Sequence, residues 1–290
     1  MRKRFIVLMA LVSVIAGSSI SSAALVAFSG ARPFKVFVPS NYNAETPEPL
    51  VIALSGYNET GAQFEKYLKL TPLAQSSGFL YVVPDGSADL HGIRFWNGTP
   101  ECCDFQSPKV NDDAYIMKIV DQVSAQYSVD QNRIYIIGHS NGGFMANHIA
   151  CKNADRIAAI MNFAGGSYTT QLACKPRQPI SILEIWGTKD ETYVGNHILG
   201  KPIPGALKIF STWGALDSCS SGQVTVPTKI DLLSTDVKPD TTVSQFQGCP
   251  ASTAIDFWSI EGAGHAPVLS PNFRSQMISW LFLHPKVSTN

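Results

Sequence analysis

Apolar residues fall along this chain in short, nearly unbroken runs. Residues 34–38, 50–54, 80–83, 134–137, 157–163, 182–186 and 255–260 are such runs. Runs of this length, bounded by turn residues, predict strands buried on both faces. Between them the spacing changes to that of helices. Ile116, Ile119, Val120, Val123 and Tyr127 follow one helical face, with Asn111-Asp112 ahead of them as a cap. Helices are also predicted over 61–69, 207–213 and 275–282, and from Phe144 through Ile149 and Ala150. Residues 87–110 are irregular and aromatic, with Phe95, Trp96 and Phe105. Strands that alternate with helices predict an α/β fold, a mainly parallel sheet covered by helices on both faces. No linker interrupts residues 24–290, which are expected to form a single catalytic domain.

The first residues break the pattern. Arg2-Lys3-Arg4 precede an apolar stretch over 5–16, and Ser21-Ser22-Ala23-Ala24 follow. This is the layout of a secretory signal peptide, residues 1–23, cut after Ala23 or Ala24. The expected location is secreted or periplasmic, with no membrane span once the leader is removed. Its loss takes three basic residues and no acidic one, so 22 basic against 22 acidic residues become 19 against 22. No basic patch is present, which argues against a nucleic-acid partner. Six cysteines in an exported chain favour disulfides. Their order suggests Cys151–Cys174 and Cys219–Cys249. Adjacent Cys102 and Cys103 are then left to bridge each other or stay as thiols. No C-x-x-C or H-x-x-x-H spacing occurs, so neither a metal nor a cofactor is expected.

The chemistry concentrates at Gly138-His139-Ser140-Asn141-Gly142. The G-x-S-x-G pattern lies between a strand run and a helix pattern, the context of a nucleophile elbow. Ser140 is therefore the expected nucleophile. In this arrangement an acid and then a histidine follow the serine. Asp190, in the turn after the 182–186 run, is the expected acid, with Glu191 as its neighbouring alternative. His265, in the Gly-rich loop 261–267, is the expected base. An oxyanion needs two donors: the backbone N–H of Asn141 and, from the Leu54-Ser55-Gly56-Tyr57 loop, that of Tyr57. Trp96 and Tyr57 are candidate substrate contacts, and Trp96 reads equally as a core anchor for the irregular loop. Asp112 and Asp113 read as structural, a helix cap or loop clamp.

With these residues placed, the chain resembles the polyhydroxybutyrate depolymerase/feruloyl esterase-like group of α/β-hydrolases. The shared pieces are Pro84-Asp85-Gly86, Arg94-Phe95-Trp96-Asn97, Cys102-Cys103-Asp104-Phe105, Asn111-Asp112-Asp113, Gly138 to Gly143, Ala154-Asp155-Arg156, Gly187-Thr188-Lys189-Asp190 and Gly264-His265. Cys219 after Trp213, and Cys249 before the last strand, resemble that family's paired cysteines. The resemblance implies an α/β-hydrolase fold, serine esterase activity and a secreted location. Three positions depart from it. Ser55 stands where the family usually has histidine, Tyr57 where cysteine is common, and Ala266 where a tryptophan often precedes proline.

The expected function is a secreted serine carboxylic-ester hydrolase with an acyl-enzyme on Ser140. Its first expected substrate is a hydroxyalkanoate oligomer, as for a polyhydroxybutyrate depolymerase. The alternative is a feruloyl or acetylxylan esterase acting on plant polysaccharide esters. A serine peptidase or a non-catalytic binding protein on the same fold comes behind both. The expected partner is the ester substrate, and no oligomer is inferred.

Overall fold

The computed structural model describes residues 22–105, 109–198, 200–234, 238–250 and 253–286. The expected leader lies almost wholly outside them. In chain order the elements are β1 (Ala24–Phe28), β2 (Phe34–Val38), β3 (Glu48–Leu54), α1 (Gly61–Leu68), α2 (Thr71–Ser77), β4 (Leu80–Val82), β5 (Ser87–Ala88), β6 (Arg94–Phe95), α3 (Asp112–Gln126), β7 (Val129–His139), α4 (Asn141–Asn153), β8 (Ala159–Phe163), β9 (Ser181–Gly187), β10 (Asn196–Ile198), β11 (Lys201–Ile203), α5 (Ala206–Leu216), β12 (Ser221–Thr225), β13 (Thr241–Gln247), β14 (Ile255–Ile260) and α6 (Pro271–Leu283). No helix among the described residues is long and apolar enough to cross a membrane.

Ten strands form one sheet in the order β1-β2-β4-β3-β7-β8-β9-β14-β13-β12. Its centre is parallel, from β4 through β3, β7, β8 and β9 to β14. The two edges, β1-β2 and β13-β12, run antiparallel to their neighbours. Every residue of β3, β8 and β9 is buried. A strand buried along its whole length needs cover on both faces, as the apolar runs predict. Helix α4 packs across β3, β7 and β8, α5 across β9 and β14, and α6 against β8. The registers His139↔Phe163, Phe163↔Ile185 and Ile260↔Gly187 align the carboxyl ends of β7, β8, β9 and β14 along one rim. The loops at that rim carry Ser140, Asp190 and His265.

The parallel strands and the five predicted helices all form. The sequence reading misses β1, α2, the short β5-β6 pair, the β10-β11 hairpin, β12 and β13. The outer strands escape it for a physical reason. All of β12 is exposed, and five of the seven residues of β13 are only partly buried. They read as Ser, Thr and Gln because one face and one edge meet water.

All six cysteines are bonded, as Cys102–Cys103, Cys151–Cys174 and Cys219–Cys249. The last two close loops with separations of 23 and 30 residues. Asp112 is a loop clamp. Its buried carboxylate accepts from Arg32 Nη1, from the Ser87 hydroxyl at 2.9 Å and from the Asn97 N–H at 2.7 Å. The N-cap of α3 is Asn111, whose side chain accepts from the Ala114 N–H.

Glu184 lies fully buried in β9. Its Oε2 accepts from Asn162 Nδ2 at 2.7 Å and from Trp186 Nε1 at 3.1 Å. Burial outweighs those bonds and pushes its carboxyl up to about 8. Asn162 in turn clasps both backbone groups of Gly165, at 2.6 and 3.0 Å.

Two predictions follow from this packing. Non-reducing peptide mapping should recover Cys151 with Cys174 and Cys219 with Cys249. Replacing either pair by alanine should lower unfolding free energy by about 3 kcal/mol in denaturant titrations, and an unchanged midpoint would remove the bridge from the stability account. The folded state keeps Glu184 protonated to about pH 8, whereas the unfolded chain ionises it near 4.5. Its stabilising share is full below the lower value and is lost as pH rises through the higher one. Glu184→Gln should flatten that decline, and parallel stability curves of the two proteins across the window would contradict this.

Candidate active site

The site starts where β7 runs out. His139 is its last residue, and α4 begins at Asn141. Ser140 between them has φ of 53° and ψ of −118°. A left-handed φ is strained for a residue with a β-carbon, and it points the hydroxyl away from both elements. The neighbours hold it there. Its N–H donates to the Phe163 carbonyl at 2.9 Å, and its own carbonyl accepts from the Gly143 and Phe144 N–H groups at 2.9 and 3.2 Å. The turn closes because two positions lack side chains. A β-carbon on Gly138 would lie 2.1 Å from the Gly142 oxygen, and one on Gly142 would lie 2.0 Å from the Leu54 oxygen.

His265 lies on the loop after β14, and Asp190 lies in the turn after β9. His265 Nε2 is 2.9 Å from Ser140 Oγ, and its Nδ1 is 2.7 Å from Asp190 Oδ2. The other oxygen of Asp190 accepts from the Thr192 N–H at 2.9 Å and from the Thr192 hydroxyl at 2.7 Å. Burial alone would push the Asp190 carboxyl up. The bonds from His265 and Thr192 outweigh it and hold the carboxyl below its ordinary value. The carboxylate therefore stays charged beside Nδ1, and it favours the tautomer in which Nε2 is free to accept from the serine hydroxyl. The loop reaches this position because Gly187 has no side chain. A β-carbon there would lie 2.3 Å from the Ala263 oxygen.

Two backbone N–H groups border the serine. The Gly56 N–H is taken by Glu59 Oε2 at 3.0 Å, and the Asn58 N–H by the Arg94 carbonyl at 2.7 Å. Among the described residues, the Tyr57 N–H between them has no acceptor, and neither has that of Asn141. The loop abuts the elbow closely, since a β-carbon on Gly56 would lie 3.5 Å from Ser140 Cβ. The Asn141 side chain fixes the other wall. Its Oδ1 accepts from the Trp96 N–H at 2.7 Å, and its Nδ2 donates to the Trp96 carbonyl at 2.9 Å.

A pocket of about 240 Å³ opens beside Ser140 and His265. Its walls are mostly apolar: Tyr57, Phe105, Phe144, Ile198, Ile203 and the Cys102–Cys103 bridge. Tyr57 thus lies where expected, with its ring 5.3 Å from that of Phe105. Trp96 does not. It is fully buried, stacked 6.5 Å from Tyr115 with the Arg32 guanidinium 5.7 Å from its ring. Its reading as a substrate contact is corrected, and the other expected reading, a core anchor, holds: it secures the loop that Asn141 grips. The other pocket walls were not anticipated. Phe144 had a legible signal, four residues after Ser140 on the same helix face. Thr192 had another, since Asp-x-Thr is a common turn in which the side chain bonds the backbone two residues on. Ile198 and Ile203 carried none, because their hairpin is short and contains Pro202.

Known proteins share this architecture. A family model described as esterase PHB depolymerase matches residues 33–175. Feruloyl esterase B of Piromyces equi is 27% identical over 251 residues, covering 81% of this chain and 42% of that protein. A bifunctional acetylxylan esterase/xylanase of Neocallimastix patriciarum is 26% identical over 236 residues, covering 81% of this chain and 31% of its own. The chain therefore spans less than half the length of these two curated relatives. The solved acetyl xylan esterase from Aspergillus awamori superposes with a TM-score of 0.63 at 14% identity, over 89% of this chain and 99% of that one, a likeness of fold. Together with the elbow, the mainly parallel sheet and the loops at its rim, these matches show an α/β-hydrolase fold and support a likeness to the polyhydroxybutyrate depolymerase/feruloyl esterase-like family.

Proposed function

We propose that this protein is an exported serine carboxylic-ester hydrolase that works through an acyl-enzyme on Ser140. The observation that carries the reading is the hydrogen-bonded line from Asp190 through His265 to Ser140, at 2.7 and 2.9 Å. Ser140 Oγ attacks the acyl carbonyl while His265 Nε2 takes its proton. The Tyr57 and Asn141 N–H groups receive the oxyanion. The C–O bond to the alcohol then breaks, and His265 returns the proton to the leaving oxygen. Water repeats the sequence on the acyl-enzyme and releases the acid. Asp190 stabilises the imidazolium in both halves.

The acyl group enters the apolar pocket, and the alcohol side lies toward solvent. A volume of about 240 Å³ suits a short acyl unit. The description of the matching family favours hydroxyalkanoate oligomers. A second reading, hydroxycinnamoyl or acetyl esters of plant polysaccharide, draws support from the aromatic walls Tyr57, Phe105 and Phe144 and from the two named relatives. Export is supported by the leader-like residues 1–23 and by three disulfides.

Purified protein and Ser140→Ala should be compared on hydroxybutyrate oligomers, methyl ferulate, acetylated xylan and a short p-nitrophenyl ester. Ser140→Ala should lower turnover by about 10⁴-fold or more while its circular dichroism is unchanged. Hydrolysis by Ser140→Ala at the wild-type rate would refute the nucleophile. Preference for the oligomer selects the first reading, and preference for ferulate or acetylated xylan selects the second.

A further inference from the structure

His139 immediately precedes Ser140 and has no part in the steps above, yet its ring is almost fully buried in the site. It is boxed in by aromatic groups. Phe64 stacks 6.0 Å away at 18°, Tyr67 lies at 5.8 Å, Phe163 at 5.1 Å and the His265 ring at 5.2 Å. Among the described residues, the His139 side chain makes one hydrogen bond, from Nε2 to the backbone carbonyl of His265 at 3.0 Å. A carbonyl oxygen only accepts, so Nε2 carries the proton. Burial pushes the imidazole down to about 4, so the ring is neutral and keeps one tautomer at ordinary pH.

A second side chain from the same cluster makes the same kind of contact. The Tyr67 hydroxyl donates to the Pro267 carbonyl at 2.9 Å. Burial raises the Tyr67 phenol far above its ordinary value, so it stays a donor. The carbonyl of Ala263 accepts from the Lys189 N–H at 2.9 Å. The histidine loop is therefore fastened at three alternate carbonyls, those of residues 263, 265 and 267. Two of the three fasteners are aromatic side chains on elements that precede the serine in the chain.

We propose that His139 and Tyr67 are positioning residues, which hold the backbone of the 265–267 loop so that the His265 imidazole stays in line between Asp190 and Ser140. The inference rests on the reading of Ser140 and His265 given above. His139 acts as a spacer of fixed length. It is bonded covalently to the nucleophile and by hydrogen bond to the backbone of the base. A loop with high glycine content would otherwise wander by more than catalysis tolerates, since a shift of about 1 Å in a reacting group can lower turnover by about 100-fold.

The test uses the full protein with His139→Phe, His139→Gln and Tyr67→Phe, assayed on a short p-nitrophenyl ester with kcat and KM resolved. The rate of Ser140 labelling by a fluorophosphonate is the second readout. His139→Phe keeps the aromatic packing and loses the donor. It should lower kcat by about 10- to 100-fold and slow labelling in step, with KM within about twofold of wild type. His139→Gln retains an N–H donor and should recover most of the loss. Tyr67→Phe should lower kcat by about 3- to 10-fold. Wild-type kcat in His139→Phe would overturn the proposal. So would a Gln variant no better than Phe, which would make His139 a packing residue. If His139→Phe does not fold, Tyr67→Phe decides, and unchanged turnover there refutes the clamp. If labelling is equal in wild type and Ser140→Ala, the nucleophile assignment fails first, and the clamp falls with it.

Discussion

The site depends on how closely the start of α4 can approach the ends of β3 and β7. Helix and strands meet at backbone contact distance, with Gly138 against Gly142 and Gly142 against the Leu54 carbonyl. A single methyl group at either glycine would push α4 outward. Ser140 would then lose the bond from its N–H to Phe163 that secures its left-handed φ. The Asn141 N–H would turn away from the Tyr57 loop. The strain at Ser140 is thus maintained by contacts from three strands at once, which is how a backbone conformation of this kind persists in a folded protein.

The parallel centre of the sheet does the rest of the assembly. Parallel strands send their carboxyl ends to one rim, so the loops after β3, β7, β9 and β14 meet without any long excursion. Each loop delivers one part: Tyr57, Ser140, Asp190 and His265. Gly187 lets the last two loops cross in contact, and Thr192 holds the charged carboxylate of Asp190 from the side away from the imidazole. The chemistry therefore sits on short connections at the ends of rigid elements.

Legibility in the sequence followed burial. Strands β3, β7, β8 and β9 were readable because both faces are covered, which leaves uninterrupted apolar runs. β12 and β13 were not, because water at the sheet edge replaces apolar partners and removes the pattern. Ser140 was readable from glycine spacing, and Asp190 and His265 from their places after strands. The aromatic walls of the pocket were mostly hidden, since they come together from loops far apart in the chain. Trp96 stayed open between two readings for a related reason. Its aromatic loop suggested a ligand surface, but the indole serves the core, and only its backbone faces Asn141. Contacts from a side chain to a distant carbonyl, such as that of His139 to His265, leave no periodic trace at all.

The pocket walls and the hydrogen-bonded line share few residues. Ile198 and Ile203 sit on the β10-β11 hairpin, which among the described residues pairs only with itself and stands outside the ten-stranded sheet. Phe105 belongs to the loop before α3. Neither segment carries Ser140, Asp190, His265 or the residues that hydrogen-bond to them. The hairpin, which also lies outside the pieces shared with the family, can thus change in length and sequence while the reacting groups stay in register. Such a scaffold can exchange one acyl preference for another by rebuilding its lining alone, a modular separation of selectivity from reactivity.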